Sequence, residues 1–158
     1  MAKHTGTPAT AFLATHGVAY TEHFYDYVEH GGTAEPARQL GVDEHAVVKT
    51  LVMQDDQAGP LLVLMHGDRQ VSTKSLARAI GVKSVEPCSV DAAQRHSGYL
   101  VGGTSPFGTR KPMPVYVEAG VLALPRIWIN GGRRGFLVGI EPAVLEHLLG
   151  AHPVSCAL

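Results

Sequence analysis

Helical patterns in this sequence stop at a glycine after only two or three turns, and that punctuation limits the fold more than any other feature. Ala11, Phe12 and Leu13 follow Thr7-Pro8 and run into Gly17, Leu40 runs into Gly41, and Leu76, Ala77 and Ile80 follow Ser72 and run into Gly81. Threonine or serine offers an N-cap oxygen, proline fits the first turn where its missing N–H costs little, and glycine takes the left-handed C′ position. The spacing predicts short helices over residues 8–16, from a Thr33 cap with Pro36 in its first turn to Leu40, from a Ser72 cap to Ile80, from a Ser89 cap to about His96, and from Pro142 through Leu145, Leu148 and Leu149.

Between the helices the period changes to two. Strands are expected over residues 20–27, 47–53, 61–66, 82–86, 115–117, 126–130 and 136–140, with polar or glycine-rich hairpins at 55–60 and 131–135. No repeat and no low-complexity linker divides the chain, which predicts one α+β domain over residues 1–158, a curled sheet with peripheral helices. With 158 residues, 45% of them hydrophobic, such a domain buries roughly 68–70% of its unfolded surface and needs no metal or disulfide staple.

Charge and cysteine usage exclude several roles. Thirteen basic against fourteen acidic residues leave a formal charge of −1, so no global basic field captures nucleic acid; any RNA contact is local, and DNA is not an expected partner. Cys88 and Cys156 have neither zinc-ligand nor C-x-x-C spacing and read as reduced thiols of a cytoplasmic protein. The apolar runs 61–65 and 121–125 fall far short of the roughly 20 residues of a membrane span, and no apolar signal region follows Met1-Ala2-Lys3-His4.

Most familiar catalytic patterns fail on inspection. Residues 103–108 have the outer glycine spacing of a phosphate loop, but Thr109-Arg110 stands where Lys and Ser or Thr are required, and Pro106, Pro112 and Pro114 oppose a following helix. Ser105 is no nucleophile elbow, because Pro106 lacks the N–H that the oxyanion hole of that architecture uses; a rigid turn shaping a pocket wall is the better reading. The histidines, among them His4, His30 and His152 in expected loops or termini, show no H-x-H or H-E-x-x-H pairing, so no metal site is expected.

Lys49 is unusual, since period two places it on one strand face with Val47, Leu51 and Met53 while Val48, Thr50 and Val52 take the other. Burying an ammonium there is costly unless something polar or anionic meets it; a solvated strand face, or a stem that snorkels outward, is the alternative. Gly102-Gly103 is either a functional close approach or a simple bulge.

Taken together, Tyr25-Asp26, Val48-Lys49-Thr50-Leu51, the string Gly98-Tyr99-Leu100-Val101-Gly102-Gly103-Thr104-Ser105-Pro106-Phe107-Gly108 and Gly131-Gly132-Arg133-Arg134-Gly135 resemble the YbaK/EbsC-type aminoacyl-tRNA deacylases, relatives of the editing domain inserted in bacterial prolyl-tRNA synthetase. The similarity runs from about Thr7 to Leu149, and within the family the free-standing Cys-tRNA(Pro) deacylases match best. The resemblance implies a mixed, mainly antiparallel sheet curled into a partly open barrel with flanking helices. It implies a pocket in which Lys49, Gly102 and Gly103 are catalytic and Tyr25, Thr50, Thr104, Ser105, Pro106 and Gly108 bind substrate, with no metal or cofactor. Lys49 would hold the terminal adenosine or its phosphate.

The resemblance also implies that the substrate's own thiolate attacks its ester, so the protein needs only to position it; the N–H groups of Gly102 and Gly103 would then offset charge on the carbonyl oxygen. The expected partners are Cys-tRNA(Pro) and, transiently, prolyl-tRNA synthetase. Leu137 departs from relatives that carry a polar or acidic residue near the start of the last strand. Removal of alanine from proline tRNA by water attack, a non-catalytic aminoacyl or nucleotide binding module, and a purely structural domain are the competing readings.

Overall fold

The computed structural model describes residues 6–158; His4 lies outside them. The described residues form six α-helices and eight strands in the order α1 (Pro8–Thr15), β1 (Thr21–Phe24), α2 (Ala34–Leu40), a 3-10 turn (Glu44–Ala46), β2 (Val47–Asp55), β3 (Pro60–His66), α3 (Thr73–Ile80), β4 (Val85–Pro87), α4 (Val90–Ser97), β5 (Val115–Glu118), α5 (Ala119–Leu122), β6 (Ile127–Arg133), β7 (Phe136–Ile140), α6 (Ala143–Leu149) and β8 (His152–Val154). Among the described residues no helix is long and apolar enough to cross a membrane.

The caps act as their chemistry dictates at three helices. Thr7, Ser72 and Ser89 accept from the N–H groups of Thr10, Ser75 and Ala92, and Thr7 and Thr10 close a reciprocal capping box. Thr33 does not cap α2. It has helical backbone angles, and its hydroxyl is directed at the Glu44 carboxylate (2.8 Å) and the Gly67 carbonyl (3.0 Å) instead.

All eight strands form one mixed sheet in the order β1-β7-β6-β2-β3-β5-β8, with β4 added to β2. Pairs β1·β7, β2·β3, β2·β4 and β6·β7 are antiparallel, and β2·β6, β3·β5 and β5·β8 are parallel. The end strands β1 and β8 do not pair with each other, so the sheet stays open rather than closing into a barrel. His152, expected in a loop, belongs to β8; a three-residue strand with a central proline carries no strand signal, and Pro153 is tolerated because β8 is an edge. Strand β1 ends at Phe24, leaving Tyr25 and Tyr27 beyond it, and β4 begins at Val85 rather than Val82.

Period two on β2 divides the core as expected. Val48 and Val52 join Leu62, Leu64, Ile129 and Val138 in the main cluster, together with Leu13 of α1 and Phe107. Met53 joins Val63, Met65 and Leu76 of α3, while Val47 joins Leu137 and Ala37 of α2. Lys49 therefore occupies the face shared by those two smaller apolar clusters.

Candidate active site

Strand β2 is paired very differently along its two edges. Toward β3 the pairing runs without a break from Val48↔His66 to Gln54↔Pro60. On the other edge β6 covers only Val47 and Val48, and β4 begins only at Met53. Between Val48 and Met53 this edge has no paired strand, and the Cys88 N–H reaches only the Val52 carbonyl, at 3.1 Å. The register of β6 shifts between Asn130 and Arg133, and Asn130 Oδ1 accepts the Gly132 and Arg133 N–H groups at 2.6 and 3.0 Å. The amide that would continue the ladder is thereby turned away from β2.

A cavity of about 920 Å³ opens at this gap. Its lining includes Tyr25, Lys49, Thr50, Cys88, Gly102, Thr104, Asn130, Arg134 and Leu137. Lys49 is half-buried, and burial pulls its ammonium below the ordinary lysine value, opposed by the charges of Glu44 and Asp68. Glu44 accepts from the Thr33 hydroxyl and Asp68 pairs with His45 at 2.8 Å; among the described residues neither carboxylate forms an ion pair with Lys49. A cation among apolar side chains with only indirect neutralisation suits an anionic ligand.

Tyr25 packs with Val47 and Leu137, and burial raises its phenol above the ordinary value. Leu137, only 4% exposed, presents hydrocarbon to the cavity, at the position where the resemblance gives some relatives a polar or acidic residue. The Thr50 hydroxyl is buried without a hydrogen-bond partner among the described residues.

The loop over residues 98–108 forms the opposite wall, and it divides into a front and a back. Gly102 and Thr104 line the cavity. Gly102 has φ +94, and a Cβ there would lie 2.7 Å from the Tyr27 hydroxyl, so only glycine fits. Gly103 is buried against the β6–β7 hairpin; a Cβ would lie 2.7 Å from the Arg134 nitrogen. Its N–H donates to the Leu100 carbonyl at 2.8 Å. This corrects its expected role: an amide committed within its own turn is not offered to a substrate oxyanion.

Ser105, Pro106 and Gly108 are not in the cavity lining. Ser105 is fully buried and its oxygen accepts the Phe107 N–H, while a Cβ on Gly108 would strike the Pro8 carbonyl at 2.6 Å. These three form the back of the wall, behind the residues that line the cavity.

Tyr27, Asn130 and Arg134 were not identified as site residues from sequence. Asn130 Nδ2 donates to the Gly102 carbonyl at 3.3 Å and Arg134 Nε to the Val101 carbonyl at 2.9 Å. The Arg134 guanidinium lies 5.1 Å from the centre of the Tyr27 ring. The two arginines of the Gly131–Gly135 motif were the local signal: Arg133 lies over the Phe136 ring of the same hairpin, and Arg134 holds the Val101 carbonyl about thirty residues earlier in the chain.

A family model described as "Aminoacyl-tRNA editing domain" matches residues 29–148. A protein of Enterococcus faecalis named "Putative Cys-tRNA(Pro)/Cys-tRNA(Cys) deacylase EbsC" is 30% identical over 143 residues, covering 90% of this chain and 87% of that protein. A proline–tRNA ligase of Verminephrobacter eiseniae is 31% identical over 108 residues, which is 62% of this chain but 18% of the ligase, so the similarity is to one part of a much larger enzyme. Among solved structures, a "putative trans-editing enzyme for prolyl tRNA synthetase" shares the fold with a TM-score of 0.83 at 23% identity, covering 96% of this chain and 95% of that one.

Proposed function

The chain belongs to the aminoacyl-tRNA editing domain family, and from that premise we propose that it is a cytoplasmic deacylase, its residues 1–158 acting as one editing domain, that removes cysteine mischarged onto proline tRNA. The observation that carries this reading is the meeting of Lys49 with the Gly102 loop across one cavity at the interrupted edge of β2. The E. faecalis relative, over nearly its full length, supports cysteine as the aminoacyl group.

In the proposed mechanism Lys49 holds a phosphate or hydroxyl of the terminal adenosine, and Tyr25, Thr50, Gly102 and Thr104 border the aminoacyl end. The cysteinyl thiolate attacks its own ester carbon. The new C–S bond forms as the C–O bond to the ribose breaks, the proton released from the thiol ends on the ribose oxygen, and a thiolactone leaves for water to open. Holding sulfur and carbonyl in a near-attack geometry can supply roughly 7–11 kcal/mol in ideal intramolecular cases, so the reaction requires no protein nucleophile.

Discrimination then rests on the substrate's chemistry, because replacing sulfur by oxygen weakens the nucleophile while leaving size almost unchanged. Selection of proline tRNA is assigned to a transient complex with prolyl-tRNA synthetase, since a chain of net charge −1 has little global field with which to hold tRNA. The decisive test is deacylation of Cys-tRNA(Pro) run beside Ser-tRNA(Pro). The proposal requires rapid loss of cysteine and near-background loss of serine; equal rates on both would reject the thiolate mechanism, and no loss of either would reject the activity.

A further inference from the structure

The gap on β2 leaves the backbone N–H and C=O of one residue facing the cavity. The Val52 carbonyl accepts from the Cys88 N–H at 3.1 Å, whereas the Asp55 N–H turns the other way to Gly59. Along a strand the N–H and C=O of alternate residues point to the same edge, so those of Thr50 point with Val52 into the gap, and those of Lys49 and Leu51 point at β3. The parallel ladder with β6 ends at Val48↔Ile129. Its next rung would bring the Asn130 carbonyl and the Gly132 N–H to Thr50, but Gly132 donates to Asn130 Oδ1. A Thr50 N–H bonded to the Asn130 carbonyl would extend the pairing to Lys49↔Asn130, which the ladder does not reach, so neither the N–H nor the C=O of Thr50 has a hydrogen-bond partner in the ladders and turns of the described residues. A central strand does not ordinarily leave such groups unpaired.

An aminoacyl ester carries an α-ammonium and a carbonyl on one carbon, the same donor and acceptor pair that a strand residue carries. We infer that Thr50 docks the aminoacyl group as a single added β residue: its carbonyl accepts from the α-ammonium, and its N–H donates to the ester carbonyl oxygen. This rests on the deacylase reading above and extends it. The two bonds are those exchanged by a hydrogen-bonded antiparallel pair, a one-residue case of strand addition at a sheet edge. They fix the direction of the aminoacyl group, and hence the sheet face that an L side chain must take. The Thr50 N–H supplies a donor to the carbonyl oxygen that the committed Gly103 amide does not.

Amide hydrogen exchange on the full, isotopically labelled chain tests this directly. The probe is 3′-deoxy-3′-(L-cysteinylamino)adenosine, an amide-linked stand-in for the charged end, compared with its counterpart lacking the α-amino group. In the free protein the Thr50 amide should exchange faster than those of Leu51 and Met53. Saturation with the probe should slow Thr50 at least about tenfold, and loss of a hydrogen bond to a charged group should weaken the second compound by about tenfold or more.

Protection of Thr50 equal to Leu51 in the free protein, no slowing with the probe bound, or equal affinity for the two compounds would overturn the inference. Deacylation of Cys-tRNA(Pro) measured alongside separates the two claims. Activity with an unmoved Thr50 amide sinks the pairing alone. A protected Thr50 amide without deacylation upholds the pairing and sinks the proposed activity.

Discussion

The two walls of the cavity are built by different means. The β2 wall is a nine-residue strand locked to β3 by consecutive residue pairs and to the cores on both faces by alternating apolar side chains. The wall formed by residues 98–108 has no strand, and α4 ends at its threshold. Separate bonds hold it: Tyr99 hydroxyl to the Phe107 carbonyl at 2.5 Å, Gly103 N–H to Leu100, and Asn130 to Gly102. Phe107, fully buried in the main cluster, anchors it. A wall made by a repeating pattern can give up one cavity-facing side chain without loosening. A wall made of single contacts transmits each loss to the site.

The sharpest way to break this contrast is at Lys49. Lys49→Ala should lower single-turnover deacylation by about 10²–10³, the scale of removing one preorganised electrostatic group, with a thermal midpoint no lower than wild type because a half-buried ammonium has been removed. Activity within a few-fold of the parent, or a clear fall in the midpoint, would contradict the assignment. On the other wall Phe107→Ala should cost about 3–5 kcal/mol in urea unfolding and lower activity with it.

Gly103→Ala must push a Cβ against the backbone of residues 133 and 134. It should destabilise by about 1–3 kcal/mol, as overpacking does, and impair turnover; normal turnover would detach the loop from the site. Tyr99→Phe removes the bond to a buried carbonyl and should cost about 1–3 kcal/mol, read from the same unfolding curves.

The smallest expected effect sharpens the β2 side through pH. Burial disfavours the charged form of Lys49, so as pH rises its ammonium is lost earlier than that of an ordinary lysine. Activity should fall on the alkaline side correspondingly early, and Lys49→Arg should move that limb upward. The stability sign is opposite. The folded state carries the burial penalty while Lys49 is protonated, and the penalty is relieved as pH rises through the lowered value, so unfolding measurements should show no loss of stability from this group across that window. An unchanged alkaline limb in the arginine variant would remove Lys49 from the pH profile.

Much of the scaffold was legible because it depends on neighbours in sequence. Thr7, Ser72 and Ser89 cap as their position before an apolar run requires, and the alternation on β2 placed Lys49 correctly among apolar side chains. Thr33 failed because a hydroxyl takes the best acceptor in reach, and Glu44 and Gly67 reach it only in the folded chain. In the glycine string, Gly102 and Thr104 face the cavity but Ser105, Pro106 and Gly108 do not, because motif residues include those that shape a turn as well as those that touch a ligand. Asn130 and Arg134 gave little warning, since their partners Gly102 and Val101 lie about thirty residues away.

What the amino-acid order determined alone is therefore local: where helices stop, which face of β2 is apolar, and that one lysine breaks that face. The tertiary structure decided which hydrogen bonds were already spent. It committed the Gly103 amide to Leu100 and, by turning Gly132 toward Asn130, left Thr50 uncommitted. Periodicity and capping act within a few residues and can be traced along a chain, but the satisfaction of a peptide group depends on whichever strand or side chain arrives beside it, and only folding brings those together.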